Sequence, residues 1–219
     1  MPEHIVERKP RPRDRVVIRL SGGRFFAIPE EAAAGLEVGL ELADADIDRL
    51  AGIDQYFRGR EKAMRMLAIR GRSRREIDDA LRALGVRDTV RAGIVRELEE
   101  SGLVDDARFA REFVAVKKDA RRVGPHRLRH DLAKLGLTRA VVDAALTGFG
   151  ADEQERMARA LVERQVGSAP PSEKTVRRVI AMLRRKGYDY AVVNRVAYDL
   201  ARRVRRDVED DTLTAPDEE

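Results

Sequence analysis

Along most of the chain, apolar residues recur every three or four positions, the period that lines one face of an α-helix. "REKAMRMLAIRG" places Ala63, Met64 and Leu67 on one face, "DARFAREFVAVKKDA" places Phe109, Ala110, Phe113 and Val114, and "DEQERMARALVERQV" places Met157, Ala158, Leu161 and Val162. Each of these is followed by a second periodic segment that stops at a glycine: Ile77 and Leu81 before Gly85, Leu128 and Leu132 before Gly136, Val179 and Leu183 before Gly187. A third segment follows, carrying Val90 with Ile94, Val141 with Ala145 and Val192 with Val196. The three glycines stand 51 residues apart, each where a helix needs a left-handed C-terminal stop.

Start signals agree with that spacing. Ser73 and Glu76 have capping-box spacing, Pro125 after Gly124 suits a first helical turn, and Asp105 or Asp106 can cap the helix after "SGLV". Length varies between the first and second helices, with "GSAPPS" the longest connection. Ahead of the repeats the period changes to two. "DRVVIRLSGGRFFAI" predicts two strands joined by a Ser-Gly-Gly turn, "PEEAAAGL" a helical turn, "VGLEL" a third short strand and "DADIDRLAGID" a helix.

These patterns predict a mainly α fold of three tandem three-helix repeats forming an elongated curved body, preceded by a small β-hairpin-containing module. The expected divisions are a flexible arm over 1–13, a small α+β module over 14–57, repeats over 58–104, 105–150 and 151–206, and an acidic disordered tail over 207–219. A monomer is expected.

Charge changes the picture when it is split by position. Residues 1–57 carry 8 Lys and Arg against 11 Asp and Glu, residues 58–206 carry 36 against 21, and residues 207–219 carry 7 acids and no base. The total of +5 therefore hides a middle segment at +15, which points to a polyanion or an acidic protein as partner. Cysteine is absent, which excludes disulfides and thiolate chemistry. No apolar run approaches the ~20 residues of a membrane span, and "MPEHIVERKPRPRDR" lacks a secretory apolar segment, so the cytoplasm is expected.

Candidate chemistry is thin. His126 and His130 lie one turn apart in "PHRLRH", but Arg127 stands where a zinc protease needs Glu, and a basic helix face is the simpler reading. The adjacent carboxylates Asp78–Asp79 and Asp105–Asp106 diverge by about 100° on a helix and make no acid–base pair. No enzyme, metal or cofactor is expected. The candidate contact residues are cations: Arg70, Arg72, Arg74 and Arg75 at the turn of the first repeat; Lys117, Lys118, Arg121, Arg122, Arg127 and Arg129 at that of the second; and Arg177, Arg178, Arg184, Arg185 and Lys186 along the second helix of the third. Similar charge at successive turns predicts a stripe along one edge, although helix C-termini favour arginine without any ligand. With aromatics at 5%, phosphate contact is expected to dominate over base stacking.

Four segments, "GRSRREIDDALRALGV", "SGLVDDARFAREFV", "GPHRLRHDLAKLGL" and "MLRRKGYDYAVV", resemble in order the RecX family, over roughly residues 58–204; Tyr188 stands where Phe is more usual. The resemblance implies a regulator of homologous recombination that binds the RecA recombinase filament and single- and double-stranded DNA. It also implies inhibition of RecA ATPase, strand exchange and co-protease activity. From the residues alone, a sequence-independent DNA-binding protein, a helix-turn-helix-type regulator without RecA specificity and a purely protein-binding scaffold stay open.

Overall fold

The computed structural model describes residues 2–166 and 172–213, without the side chains of Arg121 and of residues 205–213. Most of the "GSAPPS" connection and the last six residues of the acidic tail lie outside the described residues. The chain divides into two compact units, up to Asp105 and from Asp106 onward.

The first unit opens with a four-stranded antiparallel sheet in the order β3-β2-β1-β4. Strands β1 (Glu3–Arg11), β2 (Arg15–Leu20), β3 (Phe25–Pro29) and β4 (Glu41–Leu42) bury Ile5, Val16, Ile18, Leu20, Phe26, Ile28 and Leu42 in one core. The Ser-Gly-Gly turn joins β2 to β3, with Gly23 at φ +85°. A single 3-10 turn at Glu31–Ala33 lies between β3 and β4.

One expectation fails at the very start of the chain. Residues 1–13 do not form a flexible arm, since β1 pairs along β2 from Ile5 with Leu20 to Arg11 with Arg15. Its sequence hides it because only Ile5 is buried and the remaining side chains are mostly charged, so the strand lacks apolar alternation. What holds it is the backbone ladder and cross-strand ion pairs such as Arg19 Nε to Glu7 at 2.9 Å. Arg13 and Asp14 take positive φ in the three-residue turn over residues 12–14 that connects the two strands.

A second boundary also moves. Helix α1 runs unbroken from Asp44 to Ile69, so the division at residue 57 falls inside one 26-residue helix. Its first half covers the sheet with Ile47 and Leu50, and its second half enters the first repeat with Ala63. Neither Gly52 nor Gly59 breaks it. A Cβ on Gly59 would stand 2.7 Å from Ile94 Cδ1, so the glycine permits close helix approach rather than ending the helix. Asp54 ties α1 to the sheet edge by accepting from Ala27 N–H at 2.9 Å. Helices α2 (Arg74–Ala83) and α3 (Asp88–Glu100) complete the first repeat around Ile77, Leu81, Ile94 and Leu98. The capping box of Ser73 and Glu76 is formed at the start of α2, an arrangement worth about 1 kcal/mol.

Among the described residues the second unit holds six helices: α4 (Asp106–Arg121), α5 (Pro125–Lys134), α6 (Arg139–Leu146), α7 (Ala151–Val166), α8 (Glu173–Lys186) and α9 (Tyr190–Leu213). Pro125 starts α5, with Gly124 as its N-cap. Thr138 and Ser172 cap α6 and α8, accepting from Val141 and Thr175 N–H. Leu128 and Leu132 are fully buried in one core, Val179 and Leu183 in the next, and Met157 packs against both. Gly85, Gly136 and Gly187 all take positive φ near +80°, the left-handed stop their spacing predicts. The tail expected from residue 207 begins within a helix, because α9 continues to Leu213.

Candidate nucleic-acid interface

The structure sorts the candidate cations into two sets with different surroundings. In the first unit each arginine of the set has a carboxylate in reach. Arg70 and Arg72 hold Glu76 at 2.6 and 3.2 Å, Arg74 reaches Glu99 at 3.2 Å and Arg75 reaches Asp79 at 3.5 Å. Burial alone would push Glu76 up, but the two guanidiniums and the Ser73 N–H hold it below the ordinary carboxylate value. Ion pairs this exposed add little stability, yet four cations against three carboxylates leave little net field for a distant anion.

The second set is built differently. The turn between α4 and α5 lies directly on the turn between α8 and α9. Gly124 N–H donates to Lys186 O at 2.8 Å, His126 N–H to Gly187 O at 3.0 Å, and Tyr188 O–H to Arg122 O at 3.0 Å. Glycine is required on both sides of this contact. A Cβ at Gly124 would meet Gly187 O at 2.4 Å, and one at Gly187 would meet Arg127 N at 2.4 Å. His126 Nε2 approaches Asp189 at 2.9 Å, and the buried Gln154 bonds the same carboxylate at 2.7 Å.

This contact brings together the last turns of α4 and α8. Lys118 pairs with Glu153 at 2.6 Å. Lys117 lies over the Phe113 ring and Arg184 over the Tyr190 ring, and neither has a carboxylate in ion-pair range among the described residues. Arg178 and Arg185 are exposed and likewise have none among the described residues. Arg122 holds φ +48° and buries its Nη1 without a hydrogen-bond partner. Burial and the neighbouring Arg122 both lower the pKa of Lys186, while burial pushes Tyr188 up to about 12. At this junction Lys117, Arg184 and Arg185 thus have no carboxylate in ion-pair range among the described residues, beside the pairs that hold Lys118 and His126.

The remaining candidates are placed elsewhere or outside the description. Arg127 and Arg129 face Asp131 and Asp143 at 3.0 and 3.4 Å, and Arg177 stands 3.7 Å from Glu173. The side chain of Arg121 is not described. Among the described residues, no three His, Asp or Glu side chains gather as a metal site, and Asp78 is occupied by Arg91 and Arg82 at 2.6 and 2.7 Å. Sequence pattern missed the buried Arg91 and Gln154, polar residues inside apolar stripes whose partners lie 13 and 35 positions away. It also missed Tyr190 and Tyr198, which stand in solvent on α9.

Fold and charge together define a basic protein of three-helix repeats. The family model described as the second three-helix domain of RecX matches residues 105–146, and the third three-helix domain matches residues 152–197. The chain is similar to regulatory protein RecX of Thermobifida fusca, 33% identical over 65% of this chain and 78% of that one. To the protein of the same name from Stenotrophomonas maltophilia it is 36% identical, over 64% and 85%. A crystal structure of regulatory protein RecX superposes with TM-score 0.66 at 23% identity, covering 89% of this chain and 98% of its own. RecX from Lactobacillus salivarius gives 0.61 at 22%, covering 68% and 97%; these two show the fold. The chain belongs to the RecX family of regulatory proteins. No described helix is long and apolar enough to cross a membrane.

Proposed function

We propose that this chain regulates homologous recombination by binding the RecA filament and its DNA, lowering ATP hydrolysis, strand exchange and co-protease activity, and that it acts in the cytoplasm as a monomer. Family membership supports the regulatory role. The observation that carries the nucleic-acid half is the set of cations where α4 and α8 end, of which Lys117, Arg184 and Arg185 have no carboxylate in ion-pair range among the described residues. Phosphates are the ligand such a surface lacks: each neutralised phosphate releases counterions, without selecting a sequence. The arginines of the first repeat already have carboxylates and contribute less.

Titrating the chain into RecA on single-stranded DNA tests this. Inhibition of ATP hydrolysis at amounts well below one chain per RecA subunit is expected, because a chain lying on the filament or blocking its growth affects many subunits. Inhibition only at amounts that coat the strand would leave a bare DNA competitor instead.

A further inference from the structure

Helix α9 has two unlike faces. Val192, Val193, Val196 and Leu200 pack into the core of the third repeat. On the other side Tyr190 is 68% and Tyr198 64% exposed, with the exposed Asn194 between them at one-turn spacing. Most large aromatic side chains of this chain sit in cores, whereas these two tyrosines stand in water on a helix that already has an apolar face packed into the third repeat. Arg184 of α8 lies over the Tyr190 ring, 5.7 Å from its centre. The exposed Arg202 continues the row one turn past Tyr198, with no carboxylate in ion-pair range among the described residues.

We propose that this face of α9 stacks the unpaired bases of a single-stranded nucleic acid, Tyr190 and Tyr198 taking bases while Arg184 and Arg202 take the phosphates on either side. The proposal rests on the phosphate reading above and adds a preference for unpaired strands. Eight residues of helix separate the rings by about 12 Å along the axis. That span fits roughly two to three bases stacked between the rings at ~3.4 Å per step, so the two rings bracket a short stacked run. A ring face accepts any base, which gives strand selectivity without sequence selectivity. Charge selects this occupant over an apolar protein segment, because the row is flanked by guanidiniums with no carboxylate in ion-pair range among the described residues rather than by further apolar side chains. A duplex keeps its bases within the stack and offers this face only phosphates.

The chain suits a direct test, since it has four tyrosines and no tryptophan, and tyrosine emission, corrected for the light the bases absorb, reports on these rings. The full chain is titrated with an oligothymidine, an abasic strand of equal length and charge, and a duplex. The proposal expects emission to be quenched by oligothymidine alone, and the abasic strand to bind about tenfold or more weaker than oligothymidine. Tyr190→Ala with Tyr198→Ala should lower oligothymidine affinity by about tenfold per ring while duplex affinity stays as in the parent, which also reports an intact fold. Tyr190→Phe with Tyr198→Phe should restore oligothymidine binding. Equal binding of the abasic and intact strands, or unchanged oligothymidine affinity in the alanine variant, overturns the stacking and leaves the phosphate reading standing. An alanine variant that binds oligothymidine normally but no longer inhibits RecA also overturns it, and assigns the tyrosines to a protein partner. Failure of all three probes to bind overturns both readings.

Discussion

The first repeat and the junction of the second and third carry similar arginine-rich turns, yet the structure uses them differently. Around α2 the guanidiniums are turned onto Glu76, Asp79 and Glu99, and the cluster closes on itself. At the junction two helix ends meet backbone to backbone, and Lys117, Arg184 and Arg185 find no carboxylate in ion-pair range among the described residues. Counting basic residues along a sequence does not separate these cases. What decides the field at a distance is the acid each cation finds after folding.

The largest effect that distinguishes the two regions should come from their glycines. Gly85 has φ +78° and open space, Gly124 has φ −78° and a backbone neighbour, and Gly187 has both a positive φ and a backbone neighbour. Alanine should therefore cost about 1 kcal/mol at Gly85 from the left-handed conformation alone. At Gly124 overpacking should cost about 2 to 3 kcal/mol, and at Gly187 the combined loss should be on the order of 4 kcal/mol. Urea unfolding of the three variants checks the order; equal losses at Gly85 and Gly187 would remove the turn-to-turn contact from the account.

Next in size is binding. Changing Lys117, Arg122, Arg184 and Arg185 to glutamate should weaken DNA affinity by about 100-fold or more at moderate salt, since each lost phosphate contact adds to the next. Changing Arg70, Arg74 and Arg75 to glutamine should alter affinity by less than about threefold, measured by fluorescence anisotropy at the same salt. The smallest effect is the response to acid. Because Glu76 is held below its ordinary value of 4.5, it adds stability above that pH, and the contribution is lost as pH falls through its depressed folded value. Amides at the start of α2 should lose hydrogen-exchange protection on acidification before those at the start of α8, which Ser172 caps without a carboxylate partner. Glu76→Gln should abolish the difference, and α8 fraying first would contradict it.

The helical repeats were legible because each is written locally. A period of four, a capping box at Ser73 and a left-handed stop at Gly85, Gly136 or Gly187 all lie within a few residues of the structure they specify. Strand β1 was not, since its partner β2, its ion pair to Arg19 and its bulge near Ile5 are relations between segments. The unbroken α1 was missed because "DADIDRLAGID" and "REKAMRMLAIRG" read as two separate periodic segments, although one helix carries both. For the candidate site, the sequence supplied the cations but not their partners. Arg74 meets Glu99 from 25 positions away, and the backbone carbonyl of Arg122 accepts from Tyr188 O–H 66 positions away, distances over which no local pattern carries information. The outward Tyr190 and Tyr198 could have been found by noting that they fall off the stripe made by Val192, Val196 and Leu200.

The most direct test of the division between these regions is the salt dependence of DNA binding in three chains: the parent, Lys117, Arg184 and Arg185 changed to glutamine, and Arg70, Arg74 and Arg75 changed to glutamine. The slope of log affinity against log salt should become shallower by about two to three units in the junction variant, close to one per lost phosphate contact, and stay within about half a unit of the parent in the first-repeat variant. Equal slopes in the two variants, or a larger change in the first-repeat variant, would contradict the assignment of phosphate contact to the junction.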